Sequence, residues 1–268
     1  MDFQPTEERR MLADMIRKFV QNEYPLKTRL DAGTSDLGYN LKAYAQMADL
    51  GLIGALFDQE IGGFGGAGFD IATVFTELGK GLVNEPLNDT ALASGYILAH
   101  TGHLDWVEQI ISGKKRVALA LIENGADYDW YLPETTAISS GDGWNLTGKK
   151  TSVKFAHGAD AVIVSAKTNT SDGLSLFLVT GDAPGITQHR FQTVDGGSAC
   201  DISLADTPSL LLGVEGGSYE IIDATAARCT LALCAEALGI MDSIKTMTVD
   251  YLRTRQQFGT VLGKFQAL

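Results

Sequence analysis

Apolar residues in the N-terminal part of the chain recur every three or four positions, the spacing of a helix that buries one face. The clearest example runs from residue 6 to residue 24, and its apolar positions are Met11, Leu12, Met15, Ile16, Phe19 and Val20. Pro25 follows directly and predicts the end of that helix, because proline cannot continue the backbone hydrogen-bond ladder.

The same spacing returns in four further segments, residues 41–50, 70–80, 87–101 and 104–112. Gly51 is a stop for the first of these segments, and Asp70 is placed to cap the N-terminus of the second. Residues 1–113 are therefore predicted to form an all-helical domain.

The pattern changes at Arg116 into the short apolar runs "RVALALI", "WNLTG", "DAVIVSAK" and "LSLFLVT", separated by the turn sequences "SSGDGW" and "GDAPG". Strands at this spacing, with no helices between them, favour an antiparallel β-barrel or sandwich over residues 114–212. Residues 219–255 then contain no proline and are rich in Ala, Leu, Ile and Met, which predicts one helix of about ten turns. This helix opens a third segment, residues 213–268, which the resemblance given below implies to be the start of a helical-bundle domain, and the predicted class is a multidomain α+β fold.

The composition limits the partners and the compartment. With 33 acidic and 21 basic residues, the formal net charge of −12 disfavours a nucleic-acid partner or an anionic membrane surface. Cys200, Cys229 and Cys234 have no C-x-x-C spacing, which argues against a disulfide framework or a zinc ribbon. His100 and His103 lack an evident third ligand, so no metal site is expected. Without a signal-peptide core or an apolar run of about 18 residues, the sequence predicts a soluble cytoplasmic protein with no membrane insertion.

The stretch "IGGFGGAGFD" places Gly63, Gly65 and Gly68 in the G-x-G-x-x-G spacing that cradles pyrophosphate in dinucleotide-binding folds. That function requires a preceding strand and a following helix that leads to a second strand ending in an acid. Here Asp58 and Glu60 precede the glycines, where their charge is unfavourable beside a pyrophosphate, and further helical sequence follows. The stretch is interpreted as a flexible connection between helices.

The C-terminal sequence "YLRTRQQFGTVLGKFQAL" places Arg255 at the end of the long helix, followed by Phe258, Gly259 and Gln266. The arginine fork matches phosphate oxygens and the phenylalanine can flank a flat ring, which suggests a nucleotide contact. The alternative is structural, with an arginine that pairs with an acid at a helix end and a phenylalanine in the core. The residues by themselves leave both interpretations open.

The pattern R-x-x-F-G-x-x-x-x-x-F-Q at Arg255, Phe258, Gly259, Phe265 and Gln266 resembles the acyl-CoA dehydrogenase family. The blocks "DFQPTEERRML", "EIGGFGGAGFDIATVFTELG", "GKKTSVKFAHGADAVIVSA" and "LLGVEGGSYE" occur in that family's order, so the resemblance covers essentially the whole chain. Within the family, "ELGKGLVNEPLNDTALA", "LALIENGADYD" and "FLVTGDAPGI" are most similar to the small-subunit branch of pimeloyl-CoA dehydrogenases.

The resemblance implies a helical domain, a β-barrel domain and a four-helix domain, bound FAD, and formation of a double bond between Cα and Cβ of an acyl-CoA thioester. A carboxylate would remove the α-proton, flavin N5 would accept the β-hydride, and an electron-transfer flavoprotein would reoxidise the flavin. A role in β-oxidation of fatty or dicarboxylic acids is implied as well. Arg255, Phe258 and Gln266 would contact the adenine-diphosphate part of FAD held by a neighbouring subunit, so a homo- or hetero-oligomer is expected.

The chain departs from the family pattern around the flavin. Ile122 stands where the family has a threonine whose hydroxyl meets the flavin ring, and Ser152 and Lys154 replace a flavin-facing tryptophan and threonine. Trp130 and Trp144 are candidates to substitute for that tryptophan. Ile122 and Ser152 are therefore predicted to lie at the cofactor with altered chemistry.

No residue of the chain matches the family's catalytic base. Most members carry that glutamate in the last helical domain, at a position expected beyond Leu268, so the chain is expected to stop inside that domain. A minority place it just before the arginine that Arg228 matches, where this chain has Ala227. Two hypotheses follow: an acyl-CoA dehydrogenase subunit, active alone or with a partner, or a degenerate non-catalytic subunit of a heteromer that completes its partner's FAD site.

Overall fold

Helices form the N-terminal part of the computed structural model, which describes residues 4–125, 129–141 and 143–265. Side-chain caps set two of the helix starts: Thr6 accepts the N–H of Arg9 (3.3 Å), and Asn40 accepts that of Lys42 (2.9 Å). The helices are α1 Glu7–Glu23, α2 Leu26–Gly33, α3 Leu41–Asp49, α4 Gly68–Lys80, α5 Ser94–His100 and α6 Leu104–Ile111, with a π-helical segment at Leu87–Ala93 before α5.

Three details of this part differ from the sequence prediction. Pro25 ends α1 but also precedes α2, where a missing N–H is harmless because the first N–H groups of a helix have no partner within it. Asp70 lies inside the first turn of α4 and accepts the N–H of Ala67 (3.0 Å), the residue before the helix. The π-helical segment replaces regular α-helix in the first half of residues 87–101.

The β part of the described residues is one sheet of β1 Val117–Ala120, β2 Thr136–Ser140, β3 Gly143–Lys154, β4 Ala161–Thr168, β5 Leu174–Thr180, β6 Ile186–Gln192 and β7 Ser198–Leu212. Antiparallel pairs join β3 to β2 and β7, β7 to β5 and β6, and β5 to β4. The antiparallel prediction is wrong for β4, which runs parallel to β1 and, over two residues, to β2. No hairpin joins β1 to β4, so packing rather than a turn sets their direction. The pairings lead from β4 through β2, β3, β7 and β5 back to β4, a barrel-like circuit.

Strand β4 is buried on both faces and joins the two parts of the molecule. Ala161 and Ile163 pack into the core of the helical part, whereas Val162 and Val164 face the interior of the β part. Successive side chains of a strand point to opposite faces, so one strand contributes to both cores. The helices consequently lie against one face of the sheet.

The long apolar segment forms one helix, α7 Tyr219–Thr254, as predicted, and a hairpin of β8 Gln256–Gln257 and β9 Thr260–Val261 follows it. Helix α7 crosses α4 closely, since a Cβ added to Gly239 would lie 2.0 Å from the carbonyl oxygen of Thr76. By length and composition alone α7 is also apolar enough to cross a membrane, a test that core helices of soluble proteins pass too; 22% of its most apolar window is buried.

Candidate functional site

A cavity of about 370 Å³, which we call the interdomain cavity, lies where the helical part, the β part and α7 meet. Its walls are largely apolar with a few polar groups, which is typical of small-molecule sites. The β part contributes Leu121, Ile122, Trp130, Ser152, Val153 and Lys154. Asn88 and Asp89 come from the π-helical segment, and Ile222, Thr225 and Cys229 come from α7.

The structure brings Ile122 and Ser152 together in the wall of this cavity. The N–H of Thr151 donates to the carbonyl of Ile122 (2.9 Å), which holds the two segments side by side. Ser152 lies in a β-bulge of β3 with a φ of +54°, and Asp201 accepts its N–H (3.1 Å). Bulges redirect side chains beside sites, and here the bulge turns the strand at the cavity.

Only one of the two candidate tryptophans reaches the cavity. Trp130 lines it and packs edge-on against Tyr131, with ring centroids 6.2 Å apart. Trp144 packs on Phe177 (5.6 Å) at the core of the β part and does not line the cavity. Trp130 is the aromatic residue placed to contact a flat ring in the cavity.

Behind this wall, Glu123 and Lys150 form a buried ion pair with an Oε1–Nζ distance of 2.6 Å. Their side chains are 9% and 0% exposed. Glu123 also accepts the N–H groups of Glu134 (2.7 Å) and Thr135 (3.1 Å), and Lys150 donates to the Ser165 hydroxyl (2.9 Å). Hydrogen bonds therefore surround the pair on both sides.

The environment shifts both pKa values of the pair. Burial by itself raises the pKa of Glu123, but the Lys150 ammonium and the hydroxyl of Thr135 outweigh it, and the net pKa is lowered. Burial lowers the pKa of Lys150 to about 8, against the opposing effect of Glu123. The pair joins the residue after Ile122 to the strand that carries Ser152, so it positions the cavity wall.

A second cavity of about 130 Å³, which we call the polar cavity, adjoins the first. The two share Asn88, Asp89, Lys154 and Leu233 in their linings. Burial raises the pKa of Asp89, and burial together with the charge of Asp89 raises that of Glu236. The charged residues that line the polar cavity are Glu85, Asp89, Asp195, Glu236 and Lys154.

Sequence reasoning missed Asp89 and Glu236 as cavity residues. Asp89 lies in a polar run between Leu87 and Ala91, Glu236 lies between two alanines, and the two acids are far apart along the chain. The π-helical segment that carries Asp89 has no distinctive residue spacing, although such segments are frequent at functional sites. The only available signal was Pro86, which precedes this segment.

The glycine-rich stretch is a compact turn rather than a flexible connection. Gly63 donates its N–H to the carbonyl of Asp58 (2.8 Å) and Gly65 donates to that of Phe57 (2.8 Å). A Cβ on Gly63 would lie 2.1 Å from the Phe57 carbonyl oxygen, so the close backbone approach explains this glycine. Short 3-10 turns, not a strand, precede the stretch, and the dinucleotide-binding arrangement is therefore not formed.

Arg228 ties this turn to α7. Its guanidinium donates to the carbonyl of Gly66 (2.8 Å) and lies over the ring of Tyr96, 4.7 Å from the centroid. From the sequence, Arg228 is either the match to a family arginine or a structural ion-pair partner; it forms no ion pair within the described residues, and the second interpretation is wrong.

Arg255 and Phe258 lie far from the interdomain cavity. At a rise of ~1.5 Å per residue, Arg255 is roughly 39 Å along the helix axis from Cys229, which lines that cavity. Phe258 is 92% exposed in the hairpin and contacts Phe265 edge-on (6.5 Å), so it is not a core residue. Gln266 lies outside the described residues. Within one chain, the structure does not bring Arg255 and Phe258 to the cavity.

Across the described ranges, no group of three or more His, Cys, Asp or Glu side chains is arranged to hold a metal ion. His100 instead places its Nδ1 atom 2.9 Å from the carbonyl oxygen of Tyr96 on α5. The candidate chemistry is therefore concentrated in the two adjoining cavities.

Family models for the N-terminal domain and the middle domain of acyl-CoA dehydrogenases match residues 6–107 and 118–207. A probable acyl-CoA dehydrogenase of Bacillus subtilis, YngJ, is 28% identical over 100% of this chain and 74% of its own length. The caffeyl-CoA reductase-Etf complex subunit CarC of Acetobacterium woodii is 26% identical over 98% of this chain and 73% of its own length. A solved structure of a steroid ACAD, Tcur3481-Tcur3483, is 30% identical with a TM-score of 0.86 and covers 97% of this chain and 71% of that chain.

Proposed function

The chain belongs to the acyl-CoA dehydrogenase family of flavoprotein oxidoreductases, and we propose that it carries out FAD-dependent α,β-dehydrogenation of an acyl-CoA thioester, with electrons passed to an electron-transfer flavoprotein. The observation that carries the proposal is the interdomain cavity, where the predicted cofactor positions Ile122 and Ser152 meet Trp130 and α7. The cavity lies between the helical part, the β part and α7, and the similarity to acyl-CoA dehydrogenases extends over all three of these parts.

The residues present fit a flat ring in the cavity. Ile122, Val153 and Ile222 supply apolar walls and Trp130 supplies an aromatic face. FAD, when bound, supplies the acceptor for the β-hydride. The chain's own contribution is to exclude water around the thioester, because hydrogen bonds to its carbonyl then stabilise the developing enolate more strongly.

At two positions, Ile122 and Ala227, the chain lacks a side-chain group that would interact with the flavin or the substrate. Ile122 has no hydroxyl, so a hydrogen bond to the flavin at this point must come from the backbone. Ala227 has no ionisable group and cannot accept the α-proton. The proposal therefore assigns no catalytic base among the described residues.

The outer face of α7 supports an oligomer. Large apolar side chains on this face are 52–72% exposed, and contiguous apolar surface of this kind commonly marks an interface. A neighbouring subunit laid along α7 would come within reach of Arg255, Phe258 and Gln266, which then contact the adenine-diphosphate part of its FAD. The exposed apolar residues are Leu238, Met241, Ile244, Met247 and Tyr251.

The names of two similar proteins support the partners. CarC is named as a subunit of a complex with Etf, and the steroid ACAD carries the paired name Tcur3481-Tcur3483. An electron-transfer flavoprotein and a paralogous subunit are accordingly proposed as partners of this chain.

The substitution Arg255→Gln tests the contact between subunits, because it removes a charge-assisted hydrogen bond and keeps a polar side chain. Affinity for FAD, measured by titration of flavin fluorescence, should fall by about 1.5–3 kcal/mol, roughly ten- to 150-fold. Arg253→Gln is the matched control, since the Arg253 side chain is 75% exposed and only loosely paired with Asp250 (4.0 Å).

Unchanged FAD affinity in Arg255→Gln would make Arg255 a structural residue and would remove the contact between subunits from the proposal. A colourless purified protein that does not respond to FAD, alone or with its partners, would reject the flavin-dependent function altogether.

A second function is favoured by the replaced residues Ile122, Ser152 and Lys154 in the cavity wall. In this alternative the chain is a non-catalytic subunit that contributes Arg255 and Phe258 to a partner's FAD site. The chain purified alone would then lack flavin, whereas a complex co-expressed with a paralogous subunit would carry less than one FAD per chain. Stoichiometric FAD and turnover by the chain alone would exclude this function.

The domain limits 1–113, 114–212 and 213–268 belong to the same proposal. They are supported by the change from helix to strand between Ile111 and Val117 and by the turn between Leu212 and Tyr219. A cytoplasmic location is also proposed, on the basis of the cysteine pattern and the sequence of the N-terminal segment, and a role in β-oxidation is proposed on the basis of the family.

A further inference from the structure

The polar cavity contains buried acceptors that the surrounding chain does not satisfy. Glu85 is 6% exposed, its Oε1 accepts the N–H of Asn40 (3.2 Å), and the Tyr24 hydroxyl also lies near this carboxyl, but Oε2 has no well-aligned hydrogen-bond partner among the described residues. The Oδ1 atom of Asn88 is likewise buried without a donor from the described residues. Buried polar groups are nearly always hydrogen-bonded, so both atoms indicate a donor that is not part of the chain.

The charges of the lining residues also indicate a donor that is not part of the chain. Glu85, Asp89, Asp195 and Glu236 place four carboxyl groups around the polar cavity, and Lys154 is the one basic side chain among its described lining residues. No ion pair joins Lys154 to any of these carboxyl groups in the part of the chain that the structure describes. Burial raises the pKa of Glu85, Asp89 and Glu236, the expected response of acids that are short of cationic partners, whereas hydrogen bonds from Thr193 and from the N–H of Gly197 lower the pKa of Asp195.

The polar cavity adjoins the interdomain cavity, in which the proposed reaction takes place. Asn88, Asp89, Lys154 and Leu233 line both cavities, so a chain that lies along the apolar walls of the interdomain cavity ends against these residues. The volume of about 130 Å³ accommodates a small polar group, since one water-sized group needs roughly 10–15 Å³.

We propose that this chain takes acyl-CoA thioesters whose distal end carries a hydrogen-bond-donating group, an amine above all, and that it discriminates against a distal carboxylate. An ammonium group offers donors to Glu85 Oε2 and Asn88 Oδ1 and a positive charge to Asp89 and Glu236. A distal carboxylate offers only acceptors and adds a like charge to the cluster. The inference rests on the proposed acyl-CoA function, and it argues against the dicarboxylic acyl chain that the pimeloyl-CoA resemblance implies.

Binding rather than turnover tests this inference. The ligands are S-alkyl-CoA thioethers, which lack the thioester carbonyl and cannot be dehydrogenated, with tails that end in methyl, hydroxyl, ammonium or carboxylate. Each of the four ligands is made with tails of six, eight and ten carbons. Isothermal titration calorimetry with the full chain measures their affinities. The ammonium-terminated ligand should bind tightest at the length that reaches the polar cavity, at least tenfold tighter than the carboxylate-terminated ligand, with hydroxyl and methyl between them.

The double substitution Asp89→Asn with Glu236→Gln removes two negative charges and preserves size and polarity. The affinity for the ammonium-terminated ligand should then exceed that for the methyl-terminated ligand by no more than about threefold. Glu220→Gln is the matched control, because Glu220 is an exposed acid on the same helix as Glu236, and it should keep the original order. Circular dichroism and the midpoint of urea unfolding verify that each variant is folded.

The outcomes separate the two levels of inference. If none of the ligands binds at any length, the acyl-CoA function is wrong and the tail preference falls with it. If the methyl- or carboxylate-terminated ligand binds tightest, the acyl-CoA function stands and only the tail preference is overturned. An ammonium preference that survives the double substitution would overturn its assignment to the polar cavity.

Discussion

The Glu123–Lys150 pair and the polar cavity both bring charged residues together, but only the first is buried as a whole and internally complete. Lys150 and Lys154 lie on the same strand, four residues apart. Lys150 is fully buried and bonds Glu123 and Ser165 at 2.6 and 2.9 Å, whereas Lys154 is exposed and forms no ion pair among the described residues. A satisfied buried network rigidifies the structure, and an unsatisfied one is stable only when something else supplies the missing partners. The comparison separates residues that build the cavity wall from residues that are available to a ligand.

The largest effect is expected from Glu123→Gln. The substitution leaves the Lys150 ammonium buried without its counter-charge, and breaking a buried pair in this way costs about 3–5 kcal/mol. Urea denaturation at neutral pH measures the loss in the free energy of unfolding.

Glu134→Gln provides the control, because Glu134 is an exposed neighbour and should shift the free energy of unfolding by less than about 0.5 kcal/mol. Adding Lys150→Met to the Glu123 variant should recover much of the loss, since no charge then remains buried. A Glu123→Gln protein as stable as the parent would show that the pair does not hold the wall together.

A smaller effect is expected in the pH dependence of stability. The lowered pKa of Glu123 contributes stability that is present above its usual value of 4.5 and is lost as the pH falls through the folded-state pKa. The raised pKa values of Asp89 and Glu236 act in the opposite direction, with stability that is present at low pH and lost as the pH rises through those values.

Urea midpoints between about pH 3 and pH 7 distinguish the two clusters. Glu123→Gln should flatten the loss of stability below pH 4.5, and Asp89→Asn should flatten the decline above it. Identical pH profiles for parent and variants would contradict both assignments.

The smallest effect is expected from Asp89→Asn on stability at pH 7. Because burial disfavours the charged carboxylate and no ion pair compensates it, the neutral amide should raise the free energy of unfolding by up to about 1 kcal/mol. A loss of more than about 2 kcal/mol would mean that the Asp89 carboxylate has a structural partner, and the contrast with the Glu123–Lys150 pair would then disappear.

Much of the fold follows from local patterns in the sequence. The spacing of apolar residues predicted α1, α3, α4, α6 and the full length of α7, because a helix that buries one face must repeat at about 3.6 residues. It did not predict α2, since Pro25 was taken only as a stop, nor the parallel direction of β1. Both depend on how neighbouring segments pack, which a local pattern does not encode.

The candidate site was predictable only in part. The resemblance selected Ile122 and Ser152, and the structure places both in one cavity wall. Choosing Trp130 over Trp144 required the fold, because both residues lie in the β part and only one faces the cavity. The contacts expected of Arg255 and Phe258 remain a prediction, since they involve a neighbouring subunit.

By itself, the sequence determined most of the helices and strands, the acidic charge and the family, because each of these depends on residues that are close together or on motifs in a set order. The tertiary structure alone decided which polar side chains are satisfied. Glu123 and Lys150 complete each other while Glu85, Asp89 and Glu236 do not, because hydrogen bonding and burial depend on distances between segments that lie far apart along the chain.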